Sequence, residues 1–159
     1  MEQQQQDISG LRSVELANGS LTLVLNNTLA AIEEGRQEIL EFIGPIDAMA
    51  LNRLEIIFEE LVSNTVRHGF SNKSAQSIHV RIKRDADAIH LTMEDDGVPF
   101  NPVMATLPER ARNIETARIG GMGIPLAIKL SNALKYEELP PTNASGFCPR
   151  NRIKVSVVL

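Results

Sequence analysis

The chain has no tryptophan, one tyrosine and one cysteine among its 159 residues. With so few large aromatics, a core has to be built mainly from aliphatic side chains. The lone thiol, Cys148, permits no internal disulfide, which is in keeping with a reducing compartment. No apolar run approaches the roughly 18 residues of a membrane-spanning helix, so no membrane partner is expected. Positive charge is not in excess: the formal net charge is −4, and nothing points to nucleic acid, whose binders carry a basic patch. Neither His-Glu-x-x-His nor a Cys/His spacing for zinc occurs. The opening MEQQQQDISG is polar and lacks an apolar signal core. It reads as a disordered tail over residues 1–10, ahead of a single domain over 11–159 in a cytoplasmic protein.

What the chain does have is 43% hydrophobic residues, enough for one folded domain. LRSVELANGSLTLVLNN reads as two strands turning at Asn18-Gly19, a dipeptide suited to a tight hairpin. TLAAIEEGRQEILEFIG has helical spacing, with Asn27 or Thr28 as the expected cap and Gly44-Pro45 as the stop. A second helix is expected from about Ile46 to Gly69. SIHVRIK and AIHLTMEDDG alternate cleanly and form a hairpin with one wet face. His79 and His90 fall on its polar positions and read as ordinary exposed or half-buried residues rather than ligands. A long functional loop rich in Gly, Pro and charge follows, with room for one helical turn. IPLAIKLSNAL reads as a short helix, KYEEL and RIKVSVVL as closing strands. The expected fold is α+β: a two-layer sandwich with a mixed, mostly antiparallel sheet and helices packed on one face.

Three motifs carry chemistry. In FEELVSNTVRHGF, residues four apart lie roughly 40° from one another around a helix, so Glu60, Asn64, Arg67 and His68 share a flank. Glu60 offers a carboxylate, Asn64 a neutral oxygen, Arg67 and His68 donors to phosphate. A hard cation such as Mg²⁺ takes oxygen ligands and keeps phosphates and waters as partners, so the flank suits a nucleotide–Mg²⁺ complex. On this helix alone a solvated polar face is the simpler reading. In EDDGVPFNP, Asp95 can accept from an exocyclic amine, and Gly97 lets the chain turn and a ring approach. In GGMGIPLAIKL, Gly120, Gly121 and Gly123 open a helix whose free amides can hold an anion. It is neither a Walker loop nor a dinucleotide fingerprint.

Glu-x-x-x-Asn on a helix, Asp-x-Gly after a strand, then Gly-x-Gly opening a helix: this order resembles the nucleotide boxes of the GHKL ATP-binding superfamily. That group includes gyrase, histidine kinases and mismatch-repair ATPases. Within it, EELVSNTVRHG, DDGVPFNP and GGMGIPLAIKLSNALKYE most resemble the anti-sigma-factor serine/threonine kinases, from about Ser20 onward. The resemblance implies bound ATP and Mg²⁺. It implies Glu60 as general base toward a serine hydroxyl, Asn64 as the Mg²⁺ ligand, and Asp95 as acceptor for the adenine amine. Gly97 would make room for the ring, and Gly121 and Gly123 would hinge or line the phosphate end, the preceding segment serving as an ATP lid. Arg67 and His68 would neighbour phosphate, and Met122 would touch the nucleotide or fill the hinge. It also implies a sigma factor or similar regulator and an antagonist protein as partners, and a homodimer. Pro99 stands where the broader pattern has a second glycine, a replacement usual for the anti-sigma branch. LPPTNASGFCPRN is longer than the tight hairpin expected there. Two alternatives stay open: a catalytically silent ATP-binding or partner-binding module, and an ATPase or sensor-kinase fragment.

Overall fold

The computed structural model describes residues 10–69, 76–104 and 123–159. Strand β1 (Leu11–Ala17) turns into β2 (Ser20–Asn26) through Asn18 and Gly19. Both turn residues have positive φ, 52° and 70°, as a two-residue turn matched to strand twist requires. Gly10, which the sequence placed in the polar tail, is buried, and its amide donates to Glu34 Oε1 at 2.9 Å.

Helix α1 (Ala30–Ile43) buries Ala31, Gly35, Ile39 and Ile43, one residue per turn. The expected cap at Asn27 or Thr28 is not used. Leu29 takes that place with no side-chain bond, while the Thr28 carbonyl accepts from Ala31 N at 3.2 Å. Gly44, at φ 64°, ends the helix by donating to Leu40 O. Helix α2 (Ala48–Asn64) starts at Asp47, whose carboxylate accepts from Met49 N at 2.9 Å and Ala50 N at 3.1 Å. The helix does not run on regularly to Gly69. From Thr65 to Gly69 it widens into a π-helical turn, with Thr65 Oγ1 donating back to Leu61 O.

Strands β3 (Ser77–Arg84) and β4 (Ala88–Asp95) form the expected hairpin. After a 3₁₀ turn at Pro102–Met104, the described chain resumes with helix α3 (Gly123–Leu130), then β5 (Ala133–Glu138) and β6 (Asn151–Val158). The third helix is shorter than IPLAIKLSNAL suggested. Asn132 N donates to Ser156 O, and Asn132 Oδ1 accepts from Val158 N, so the chain enters the sheet there.

The six strands lie in the order β1-β2-β3-β4-β6-β5. Among the described residues every pairing is antiparallel. Alternation sends Leu21, Leu23 and Leu25 of β2, Ile78, Val80 and Ile82 of β3, and their partners in β4 and β6 into the core. The other face presents Thr22, Arg81, Thr92 and Lys154 in one cross-strand row. Burying a Leu or Ile contributes roughly 1.5–3 kcal/mol, and the core is almost wholly such residues. Phe58 is its one large aromatic among the described residues. Gly35 lets α1 close on it: a Cβ there would stand 2.8 Å from Phe58 Cζ. No helix of the described residues is long and apolar enough to cross a membrane.

Candidate functional site

The β4–β6 register sets Asp95 directly opposite Asn151 on the core-facing side, at one end of the sheet. Both are buried, each 4% exposed. Asp95 Oδ1 accepts from Asn151 Nδ2 and from Gly97 N, each at 2.9 Å. Burial pushes the Asp95 carboxyl above its ordinary range, and Asp96 adds to this; the bonds from Asn151 and Gly97 act in the opposite direction.

After Asp95 the chain turns back along the end of α2. Gly97 is buried against Gly69, and a Cβ on it would lie 2.2 Å from the Gly69 carbonyl oxygen. Val98 N donates to that same oxygen at 2.7 Å. The space that a side chain on Gly97 would need is therefore filled by main chain. The ligand-sized space opens beside it as a cavity of about 230 Å³. Asn64, Thr65, His68, Asp95 and Asn151 supply its polar wall. Leu61, Val98, Phe100, Ile124 and Ile153 supply much of its apolar wall. An apolar cleft with a few convergent polar groups is the usual form of a small-molecule site.

Of the residues singled out from sequence, the cavity gathers Asn64, His68 and Asp95. Glu60 and Gly123 meet beside it: a Cβ on Gly123 would lie 1.8 Å from Glu60 Oε2. Gly97 forms the structure behind Asp95 rather than the lining. Arg67 is exposed and does not line the cavity. The π-helical turn breaks the 100° step on which its placement was argued, since that step holds only for regular α-helix. Gly121 and Met122, with the segment before them, lie outside the described residues. Among the described residues no group of three or more His, Cys, Asp or Glu is placed to hold a metal.

Sequence reasoning missed Asn151, Thr65 and Phe100. Asn151 Oδ1 accepts from Phe100 N at 3.0 Å and Tyr136 Oη at 2.7 Å. Its amide also points to the carbonyls of Val98, at 3.1 Å, and Gly97, at 3.4 Å. His79 is half-buried and His90 exposed. His90 pairs with Asp85 at 2.8 Å. His79 stacks on Phe147 of the β5–β6 connection, ring centroids 3.6 Å apart. That long connection thus folds back over the wet face of the sheet.

A helical layer on an antiparallel sheet, with a cavity walled by a helix end and two strand ends, defines a small-ligand-binding domain of the α+β class. Comparison narrows this. The profile of the histidine kinase-like ATPase domain matches residues 25–145, and the chain belongs to that family. It is similar to the serine/threonine-protein kinase BtrW of Bordetella bronchiseptica, 29% identical over 84 residues, 53% of this chain and 59% of that one. It is similar to an anti-sigma F factor of Oceanobacillus iheyensis, 21% identical over 132 residues, 77% of this chain and 86% of that one. It is also similar to the sensor histidine kinase MtrB of Mycobacterium leprae, 26% identical over 148 residues. The chain spans less than two thirds of two of these relatives, 59% of the Bordetella kinase and 24% of the sensor kinase.

Proposed function

We propose that this chain binds ATP with Mg²⁺ and is a serine/threonine protein kinase of the anti-sigma-factor type. It phosphorylates a serine on an antagonist protein and sequesters a sigma factor or similar regulator, as a cytoplasmic homodimer. The observation that carries the reading is the convergence of Asn64, His68 and Asp95 on one cavity, with Glu60 one helical turn before Asn64 and against Gly123, the residue before the lining Ile124. The names of the Bordetella and Oceanobacillus relatives support the kinase and anti-sigma parts.

In this reading Asp95 accepts from the adenine amine inside the cavity. His68 and Arg67 face phosphate at the open side, with the segment through Gly121, Met122 and Gly123 at the phosphate end. Asn64 offers a single neutral oxygen, and the described residues hold no acidic cluster. That donor set fits Mg²⁺ arriving with the nucleotide, most of whose ligands are phosphate and water oxygens. Bound there, the ion would neutralise phosphate charge. Glu60 takes the proton from the serine hydroxyl as its oxygen bonds the γ-phosphorus and the bond to the β-phosphate oxygen breaks, releasing ADP.

One observation favours a second reading, a silent ATP-binding or partner-binding module: the Glu60 carboxylate is packed on Gly123 and outside the cavity lining. Transfer from radiolabelled ATP to candidate antagonists separates the two. Loss of transfer in Glu60→Gln with ATP binding retained supports the kinase. Transfer persisting at the wild-type rate removes Glu60 from the mechanism. ATP binding by the wild-type chain with no transfer to any antagonist favours the module. Thermal melting with millimolar Mg-ATP tests both, because a ligand bound only by the native state raises the midpoint.

A further inference from the structure

The open face of the sheet carries more positive charge than its own acids balance. Thr22, Arg81, Thr92, Lys154 and Lys135 stand side by side in one cross-strand row. Lys83 lies on the same face, two residues along β3 from Arg81. Most carboxylates of this face are already paired. Glu94 and Glu137 both meet Arg152, at 2.5 and 3.1 Å, and Asp85 meets His90 at 2.8 Å. Glu15 ends the row on β1, with Thr22 between it and Arg81. Among the described residues Arg81, Lys83, Lys135 and Lys154 are exposed and make no ion pair. The chain as a whole is acidic, with a net charge of −4. Much of that acid lies on the other layer, where α1 and α2 carry seven glutamates and two arginines. Two open grooves of about 360 and 330 Å³ run over the sheet face and share Arg81 and Thr92, so they form one trough.

We propose that this trough is a docking site for an acidic segment of a partner protein, lying extended across the sheet. The spacing of the cations suits a series of carboxylates rather than one anion. Neighbouring strands are about 4.8 Å apart, so Arg81 and Lys154 stand roughly 10 Å apart across Thr92. Side chains on one face of an extended peptide recur about every 7 Å, within reach of the long Arg and Lys stems. The strand amides are engaged in the ladder, so no main-chain nest closes on a single phosphate. Nucleic acid is the poorer fit. The row holds no aromatic ring on which a base could stack, and His79, at the end of the trough, is covered by Phe147. Arg81, Thr92 and Lys154 point away from the core, whereas Asp95 faces it. Docking here therefore does not depend on what the cavity holds. The opposite charge of the helical layer turns an approaching acidic segment toward the sheet.

The probe is a fluorescein-labelled peptide alternating glutamate with serine, beside a counterpart with glutamine for glutamate. Each is titrated with the full chain at low salt and read by fluorescence anisotropy. The glutamate peptide is expected to bind at least about tenfold more tightly than the glutamine peptide, and to weaken as salt is raised. Arg81→Glu is expected to weaken it roughly tenfold. Lys154→Glu is expected to do the same, and decides the matter if Arg81→Glu does not fold. Lys129→Glu makes the same change of charge on α3 and is expected to alter binding by less than about threefold. Equal binding of the two peptides, or equal loss in Arg81→Glu and Lys129→Glu, overturns the site. Labelled single-stranded RNA that binds more tightly than the glutamate peptide and is lost in Arg81→Glu would make the trough a nucleic-acid site. Phosphatidylserine vesicles that take up the chain through the same residues would make it a membrane surface. A change in sedimentation on Arg81→Glu without peptide would make it a contact between copies. Each of these three overturns the acidic-segment reading.

Discussion

The carbonyl oxygen of Gly69 sits against Gly97, where a Cβ would stand only 2.2 Å away. The same oxygen takes the amide proton of Val98 at 2.7 Å. The end of α2 and the turn after β4 are thereby joined main chain to main chain, and the cavity lies in the angle between them. Gly97→Ala has to push two backbones apart. Overpacking of this kind costs typically about 1–3 kcal/mol, and neither partner is a flexible side-chain end. The midpoint of urea unfolding should fall accordingly, with an unchanged slope. A variant as stable as the wild type would show that the contact is looser than described.

Gly123 presents a different case. The atom that a Cβ would strike is Glu60 Oε2, at 1.8 Å, the far end of a mobile side chain. Gly123→Ala should therefore cost little stability and instead displace the Glu60 carboxylate. If Glu60 is the base, phosphoryl transfer should fall by roughly tenfold or more while ATP affinity changes little, since a misplacement near 1 Å can cost about a hundredfold. Single-turnover transfer measured beside calorimetric binding decides it. Equal loss in both would mean that Gly123 acts through the phosphate end of the site instead.

Both contacts lie between segments far apart in sequence, and this marks where sequence reading stops. The β1–β2 hairpin was legible because Asn18-Gly19 names its turn chemically. The β3–β4 hairpin was legible because Ile78, Val80 and Ile82 alternate with polar residues. The flank of α2 was legible as far as Asn64, where regular helical geometry holds. The π-helical turn had no signal in TVRHG, so the regular helical step behind the placing of Arg67 stops at Thr65. Asn151 was invisible for another reason. It is a single polar residue at the start of a strand, and only the pairing of β4 with β6, across 56 residues, brings it to Asp95.

Asp47 caps the second helix, a role that sequence reading left unassigned. The expected start of the second helix was near Ile46, with no cap assigned. Asp47 Oδ2 in fact takes two of the free amide protons of the first turn, from Met49 and Ala50. Asp47→Ala should destabilise the chain by about 1 kcal/mol, and Asp47→Ser by much less. Equilibrium urea unfolding of the three proteins checks the order. Equal stability of Asp47→Ala and the wild type would mean that water caps the helix as well as the carboxylate does.

Asp95 sets function against stability. Burial raises its carboxyl pKa in the folded chain, whereas in the unfolded chain it titrates near the ordinary value of 3.8. A group that holds its proton more tightly when folded contributes stability below its unfolded pKa, and that contribution is lost as pH rises through the folded value. At neutral pH the ionised Asp95 therefore contributes less to the fold than its protonated form does in acid. An asparagine oxygen can accept the same bonds from Gly97 and Asn151 without the buried charge. Asp95→Asn should melt at the same or a higher temperature than the wild type at pH 7, and should lack the wild-type decline as pH climbs out of the acid range. The same change offers an amine where the proposed adenine amine would sit. ADP affinity should then drop by roughly tenfold or more. Melting curves from pH 4 to 8, paired with ADP calorimetry at pH 7, read both sides. A variant that is less stable at every pH and still binds ADP normally would deny Asp95 its place in the site.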